Sequence, residues 1–134
     1  MKLWGGRFEK ETNTMVDAFN ACIGFGSRLY EQDILGSIAH ATMLGEENII
    51  PPEDAKKIVE GLKGILADAR EGKIQWSTEA EDIHMNVETL LIQRIGDAGK
   101  RVHTGRSRND QCVLDTRMYA RESCTETRAL LDEL

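Results

Sequence analysis

Apolar residues recur along most of the chain at the three- and four-residue spacing of amphipathic helices, and the alternation typical of strands is nearly absent. The clearest stripe follows Pro51 and Pro52, which suit the first turn of a helix, and it stops before Gly72. Its members are Ala55, Ile58, Val59, Leu62, Ile65, Leu66 and Ala69. The spacing therefore predicts a helix with one buried apolar face.

Two helices are predicted before the prolines. A short amphipathic helix covers Met15 to Phe19, and a longer one carries an apolar face further along. That face consists of Leu29, Ile34, Ile38 and Ala41. His40 lies within the same apolar stripe, so we expect a hydrogen-bonded core histidine rather than a catalyst.

A further helix is predicted after the extended segment "GKIQWS", in which Ile74 and Trp76 are expected to fill the core. Thr78 and Glu81 have the spacing of a capping box and predict the start of this helix. Its buried stripe would run to Gly96 and comprise Ile83, Val87, Leu90 and Leu91.

The last helix is predicted to begin at Ser107, which has the S-x-x-D cap spacing with Asp110. Its apolar positions are Val113, Thr116, Ala120, Cys124, Leu131 and Leu134. At ~1.5 Å per residue this helix would be about 40 Å long, and no stop signal ends it. We therefore predict an all-α fold with a small N-terminal helical domain at residues 1–106, and residues 107–134 as the truncated start of a central helix bundle.

Composition narrows the class of protein. A net charge of −6 and an aromatic content of 5% argue against general nucleic-acid binding, which favours a basic face and stacking rings. No apolar run has the length of a membrane span, and the N-terminus has no secretory apolar segment. The three cysteines, an odd number with no CxxC pair, indicate free thiols in a reducing cytosol.

Cations and neutral hydrogen-bond donors crowd into one segment of this acidic chain, "KRVHTGRSRND" at residues 100–110. The segment leads into the predicted N-terminus of the last helix, where free backbone N–H groups and the helix dipole favour an anion. Arg106 and Arg108 supply forked donors suited to carboxylates. The residues alone leave two interpretations open, a solvated loop and an anion-binding cradle.

A second polar cluster, "AEDIHMNVE", has Glu81, His84 and Glu88 on one helical face. This face could form part of a metal site, a base with an orienting carboxylate, or a solvated salt-bridged stripe, and the residues alone favour the solvated stripe. Metal is disfavoured, because ligands from one helix do not close a site. Asp82 and Asn86 lie on a neighbouring face that could border a polar cleft.

Three motifs in this order, "WGGRF" at residues 4–8, "EDIH" and "HTGRSRND", resemble the argininosuccinate lyase/delta-crystallin family of the fumarase/aspartase superfamily. The resemblance runs from about Leu3 to the end of the chain. It implies a cytosolic homotetramer with a twenty-helix bundle and active sites built from three subunits. It also implies β-elimination of argininosuccinate to arginine and fumarate, with no cofactor or metal.

The resemblance also implies roles for individual residues. Ser107, Arg108 and Asn109 would bind the carboxylates and amino-acid part of the substrate, and Asp82 and His84 would support the same cleft. Two positions depart from the family pattern. Cys22 stands where the family has a substrate-binding serine, and Gly26 stands where it has an aspartate.

The family's acid/base chemistry comes from a Thr-His segment and a "GSSxMPxKxN" loop, which would lie beyond Leu134. The sequence is therefore interpreted as an N-terminal fragment that is inactive alone. The alternatives are a catalytically silent, crystallin-like structural protein, a sibling lyase acting on adenylosuccinate or aspartate, and an independent anion-binding module.

Overall fold

The computed structural model describes residues 13–134, which are all-α as predicted and contain no strand. The helices are α1 Thr14–Asn20, α2 Ile23–Gly26, α3 Tyr30–Glu46, α4 Pro52–Arg70, α5 Ile83–Ile95 and α6 Arg108–Asp132. Short 3₁₀ turns at Ser27–Leu29 and Gly96–Arg101 precede α3 and follow α5. No helix in this part of the chain is long and apolar enough to cross a membrane. The "WGGRF" motif lies outside the described residues.

The hydrophobic core lies between α3, α4 and α5. Its fully buried aliphatic side chains are Ile34, Leu44, Ile58, Leu62, Ile65 and Leu91. The predicted stripe of α4 is confirmed, with Val59 and Ala69 half-buried at its edges. Each buried aliphatic side chain favours folding by ~1.5–3 kcal/mol relative to an exposed one. The stripe therefore accounts for most of the favourable free energy of packing α4 against the core.

The segment between α4 and α5 closes one side of the core. Ile74 and Trp76 are half-buried against the core as predicted, and the Trp76 ring centroid lies 5.8 Å from that of Tyr30. The Asn86 side chain holds the turn that precedes α5. Its amide oxygen accepts from Ser77 N–H at 2.8 Å, and its amide nitrogen donates to Ala80 O at 3.0 Å. Asn86 is therefore a buried residue of α5 whose side chain holds the preceding turn, and it does not line the polar cavity described below.

The predicted cap of α5 at Thr78 is wrong. Thr78 lies in an exposed turn, and α5 begins four residues later, where Asp82 Oδ1 accepts from Met85 N–H at 2.7 Å. A carboxylate at this position satisfies a free N–H and also interacts favourably with the helix dipole, which a hydroxyl does only weakly. The end of α5 is as predicted, since Gly96 has a φ of 71° and stops the helix.

The N-terminus of α6 is capped as predicted. Ser107 Oγ accepts from Asn109 N–H at 3.2 Å, and the Asp110 carboxylate accepts from Ser107 N–H at 3.1 Å, which together form a capping box. The helix begins at Arg108 and runs for 25 residues. The proposed domain boundary at residue 107 stays a prediction.

The buried face of α6 is polar rather than apolar. Gln111 and Asp115 are its buried residues, and they face α3 and α5. The apolar side chains expected to form its packed stripe are exposed, among them Val113 and Leu131, and Leu114 and Leu130 are exposed beside them. On the described residues, α6 therefore contacts the other helices through hydrogen bonds and leaves an apolar face uncovered.

Candidate functional site

Arg108, the first residue of α6, joins two helices at the mouth of a polar cleft. Its Nε lies 3.6 Å from Asp82 Oδ2 and its Nη2 lies 4.0 Å from Glu88 Oε2, both contributed by the α5 region. Its other terminal nitrogen donates to Gln111 Oε1 at 3.1 Å. These contacts hold a half-buried guanidinium in place with part of its surface still open.

His84 is buried, so the solvated-stripe interpretation of the "EDIH" face is wrong for this residue. Its Nδ1 lies 2.7 Å from Asp33 Oδ1 and 3.6 Å from Asp115 Oδ2, and its Nε2 lies 3.2 Å from Cys112 Sγ. The side chain of Gln111 also donates to Asp33 Oδ1. The burial of His84 follows from tertiary packing, because α3 and α6, which are distant from it in sequence, bring carboxylates to its ring.

Arg106 brings a second guanidinium toward the same cleft from the loop before α6. One terminal nitrogen donates to Ser37 Oγ of α3 at 3.1 Å. A small cavity of ≈ 10 Å³, large enough for one water, lies between this loop and the three helices. Its polar lining includes Asp33, Ser37, His84, Glu88, His103, Arg106, Arg108 and Gln111.

Ser107 and Asn109 flank Arg108 and are exposed at the start of α6. The Ser107 hydroxyl oxygen accepts the capping hydrogen bond from Asn109 N–H. The positive end of the α6 dipole is centred on these residues. Two neutral polar side chains and one cation therefore lie at this helix N-terminus, together with the Asp110 carboxylate of the capping box.

Cys22 lies beside this cluster, at the start of α2. Its backbone N–H donates to Glu81 O at 2.9 Å, and its thiol makes a long contact of 3.7 Å to the same carbonyl. Burial and then the charge of Asp82 raise the pKa of the Cys22 thiol, so it stays protonated. Gly26 is buried one turn later, and a Cβ there would lie 3.9 Å from the sulfur.

The charged groups around Arg108 shift one another's pKa values. Burial raises the pKa of Glu88, and Arg108 opposes that shift. Burial and then the charges of Arg108 and Arg106 lower the pKa of His103, which keeps its imidazole neutral. The arginines are therefore the cations that remain available to an anionic ligand at neutral pH.

Asp33, His84 and Asp115 are the one group of three potential metal ligands in the described part of the chain, with ligand atoms within 4.8 Å of one another. Two ligands on one tetrahedral ion, each ~2.0 Å from it, lie about 3.3 Å apart. The 2.7 Å between His84 Nδ1 and Asp33 Oδ1 is instead a hydrogen-bond distance. The geometry is that of a hydrogen-bonded Asp33–His84 pair with the Asp115 carboxylate 3.6 Å from the same ring nitrogen.

Sequence reasoning missed Asp33 and Asp115. The available signal was a charged residue on the buried face of a helix, since Asp33 precedes Ile34 and Asp115 is one turn beyond Gln111. His40 was interpreted correctly: it is half-buried, and its Nε2 lies 2.9 Å from Thr104 O. The cysteines were also interpreted correctly, as all three are free thiols.

The fold and site together define an all-α protein with an arginine-containing polar cleft at the start of a long helix. The sequence profile of the family described as Lyase matches residues 6–134. The chain belongs to this lyase family.

Relatives in this family share most of the sequence. Argininosuccinate lyase of Lachnospira eligens is 61% identical over 134 residues, covering 100% of this chain and 29% of that protein. The enzymes of the same name from Acetivibrio thermocellus and Carboxydothermus hydrogenoformans are 61% and 58% identical, with the same coverage. The chain thus spans about 29% of the length of these relatives, and the predicted resemblance is confirmed.

The buried carboxyl of Asp115 predicts a specific pH dependence of stability. Burial and then the charge of Asp33 raise its pKa from 3.8 to about 7 in the folded chain. The folded chain thus binds a proton that the unfolded chain releases, so this contribution is full below about pH 4 and is lost as the pH rises through about 7. We expect Asp115→Asn to match the unsubstituted chain near pH 4 and to exceed its unfolding free energy at pH 8 by up to about 4 kcal/mol.

Urea unfolding at both pH values measures the difference. The control Asp132→Asn, on an exposed aspartate, should show no such pH-dependent gain. Equal destabilisation by Asp115→Asn at pH 4 and pH 8 would contradict the raised pKa.

Proposed function

We propose that the chain is the N-terminal part of an argininosuccinate lyase, which cleaves argininosuccinate by β-elimination to arginine and fumarate. The observation that carries this proposal is the half-buried Arg108 guanidinium at the N-terminus of α6, flanked by Ser107 and Asn109. The similarity to three argininosuccinate lyases, at 58–61% identity, supports the choice of substrate.

The chemistry explains why such a site is needed. In this β-elimination a base removes a proton next to a succinyl carboxylate, and negative charge accumulates on that carboxylate before the C–N bond breaks. Donors fixed in advance lower the barrier, because they need no reorganisation as the charge develops. Arg108 offers a planar pair of N–H groups to a carboxylate, and Ser107 and Asn109 add neutral donors beside it.

Asp82 and His84 support this cleft without transferring protons in the reaction. Asp82 holds Arg108 by an ion pair of 3.6 Å and also caps α5, so it fixes both the cation and the helix that carries His84. The acid and base would be supplied by the remaining portion of the full-length enzyme. The 134-residue chain alone is therefore expected to release no fumarate.

The full-length enzyme would be a cytosolic homotetramer whose α6 helices belong to a central bundle. Val113 and Leu131 lie on one face of α6, about five turns apart, and their exposure supports this assembly. Partner helices would bury that face, and the active site would draw residues from three subunits. Residues 1–106 would form the peripheral domain and residue 107 would begin the bundle.

Arg108→Lys tests the proposed carboxylate contact in the full-length enzyme that carries this region. Lysine keeps the charge but loses the forked geometry, so we expect kcat/KM for argininosuccinate to fall about 10- to 100-fold, the equivalent of one strong charge-assisted hydrogen bond. Steady-state release of fumarate, followed by ultraviolet absorbance, measures the change. The control is Arg117→Lys, on the exposed surface of α6, which should leave kcat/KM unchanged. Equal activity of the two variants would remove Arg108 from the substrate site.

Cys22→Ser tests whether this position contacts substrate. A hydroxyl is a stronger hydrogen-bond donor than a thiol, so we expect the Michaelis constant to fall about 2- to 5-fold with little change in kcat. Cys124→Ser, on an exposed thiol of α6, is the matched control and should have no effect. An unchanged or higher Michaelis constant for Cys22→Ser would exclude Cys22 from the site.

A further inference from the structure

Three helices contribute one buried, ionisable side chain each to a single point. Asp33 of α3, His84 of α5 and Asp115 of α6 are 1%, 5% and 0% exposed, and their polar atoms lie within 4.8 Å of one another. Asp33 Oδ2 and both oxygens of Asp115 have no hydrogen-bond partner. Two buried carboxylates with three oxygens left unpaired would be strongly disfavoured by desolvation, so the folded chain must neutralise part of this charge.

The surrounding charged groups do not neutralise it fully. The α5 face adds Glu88, the α6 face adds Arg108 and Cys112, and the preceding loop adds His103 and Arg106. Arg106 donates its hydrogen bond to Ser37, and Arg108 pairs with Asp82 and Glu88. Neither arginine therefore satisfies the open oxygens of the trio, and a proton is the remaining source of positive charge.

The hydrogen bonds also fix where the proton of His84 lies. Asp33 Oδ1 is held by the amide of Gln111 and lies 2.7 Å from His84 Nδ1. A carboxylate oxygen can only accept, so Nδ1 carries a proton. On the opposite edge of the ring, Nε2 lies 3.2 Å from Cys112 Sγ, on the side of the cleft that holds Arg108.

We infer that Asp33 and Asp115 are positioning residues for His84: Asp33 stays a carboxylate that accepts from Nδ1, Asp115 is buried as a protonated carboxyl, and the imidazole is neutral with its proton on Nδ1. His84 Nε2 then presents a lone pair to the cleft. In the resting chain it accepts from the Cys112 thiol. In the enzyme it accepts from an N–H group on the cationic part of the substrate, a step that rests on the proposed function.

Asp33 and Asp115 have different tasks in this arrangement. Asp33 must be an acceptor toward Nδ1, so replacing it by an amide that can donate removes the preference for one tautomer. Asp115 carries the proton that neutralises the second carboxyl, and an amide of the same shape substitutes for a protonated carboxyl. Asp33→Asn and Asp115→Asn are therefore a matched pair with opposite expected outcomes.

The experiment is NMR of the 134-residue chain with ¹⁵N-labelled imidazole rings. The chain has three histidines, and the variants His40→Gln and His103→Gln assign the remaining signals to His84. We expect the long-range ¹H–¹⁵N pattern of a neutral ring protonated on Nδ1 between pH 6 and pH 8. Asp115→Asn should keep this pattern, and Asp33→Asn should convert it to a mixture or to the Nε2-protonated form. The exposed-site variant Asp132→Asn is the control and should match the unsubstituted chain.

Several outcomes would overturn the inference. Spectra of the unsubstituted chain would overturn it if the His84 ring were an imidazolium at pH 7 or were protonated only on Nε2. Loss of the pattern in Asp115→Asn while Asp33→Asn keeps it would reverse the two roles. A change in the His84 signals on adding EDTA, or on adding equimolar zinc, would put a metal in place of the proton on Asp115. These readouts do not depend on lyase activity, so failure here and failure of the proposed function are separable.

Discussion

The hydrogen bond between Asp33 and His84 is the interaction on which the rest of the site depends. It joins α3 to α5, and Gln111 and Asp115 extend the same network to α6. Removing three ionisable groups from water is unfavourable, and hydrophobic residues of the same size would pack at lower cost. What the network adds is a defined position for α6, because this helix packs on α3 and α5 through polar contacts rather than an apolar stripe.

Two helix caps convert that position into a binding geometry. Asp82 caps α5 immediately before Ile83 and His84. This start of the helix places the Ile83 side chain in the core and the His84 side chain against α6. The capping box of Ser107 and Asp110 begins α6 at Arg108 and so places this guanidinium at the cleft. Because Asp82 also pairs with Arg108, the two caps are linked, and a change in either would shift the guanidinium. The site is therefore built from rigid helix ends, which suit it to stabilise charge with little reorganisation.

Local pattern was sufficient for much of the fold and for part of the site. Apolar spacing predicted α4 and its core face, and the Ser107–Asp110 spacing predicted the cap of α6, since both depend on residues a few positions apart. The buried histidine could not be predicted in this way, because its partners Asp33 and Cys112 are 51 and 28 residues away in sequence. The start of α5 was mispredicted for a different reason. Two overlapping cap signals compete there, and the carboxylate of Asp82 is the stronger.

The central claim is that this region is the substrate-holding half of an argininosuccinate lyase, and the most direct test is fumarate release by the full-length protein that contains it. Argininosuccinate, adenylosuccinate and aspartate are supplied separately under identical conditions, and ultraviolet absorbance follows fumarate. The account predicts release from argininosuccinate, with one arginine formed per fumarate, and none from the other two. Fumarate from adenylosuccinate or aspartate, with argininosuccinate left intact, would contradict it.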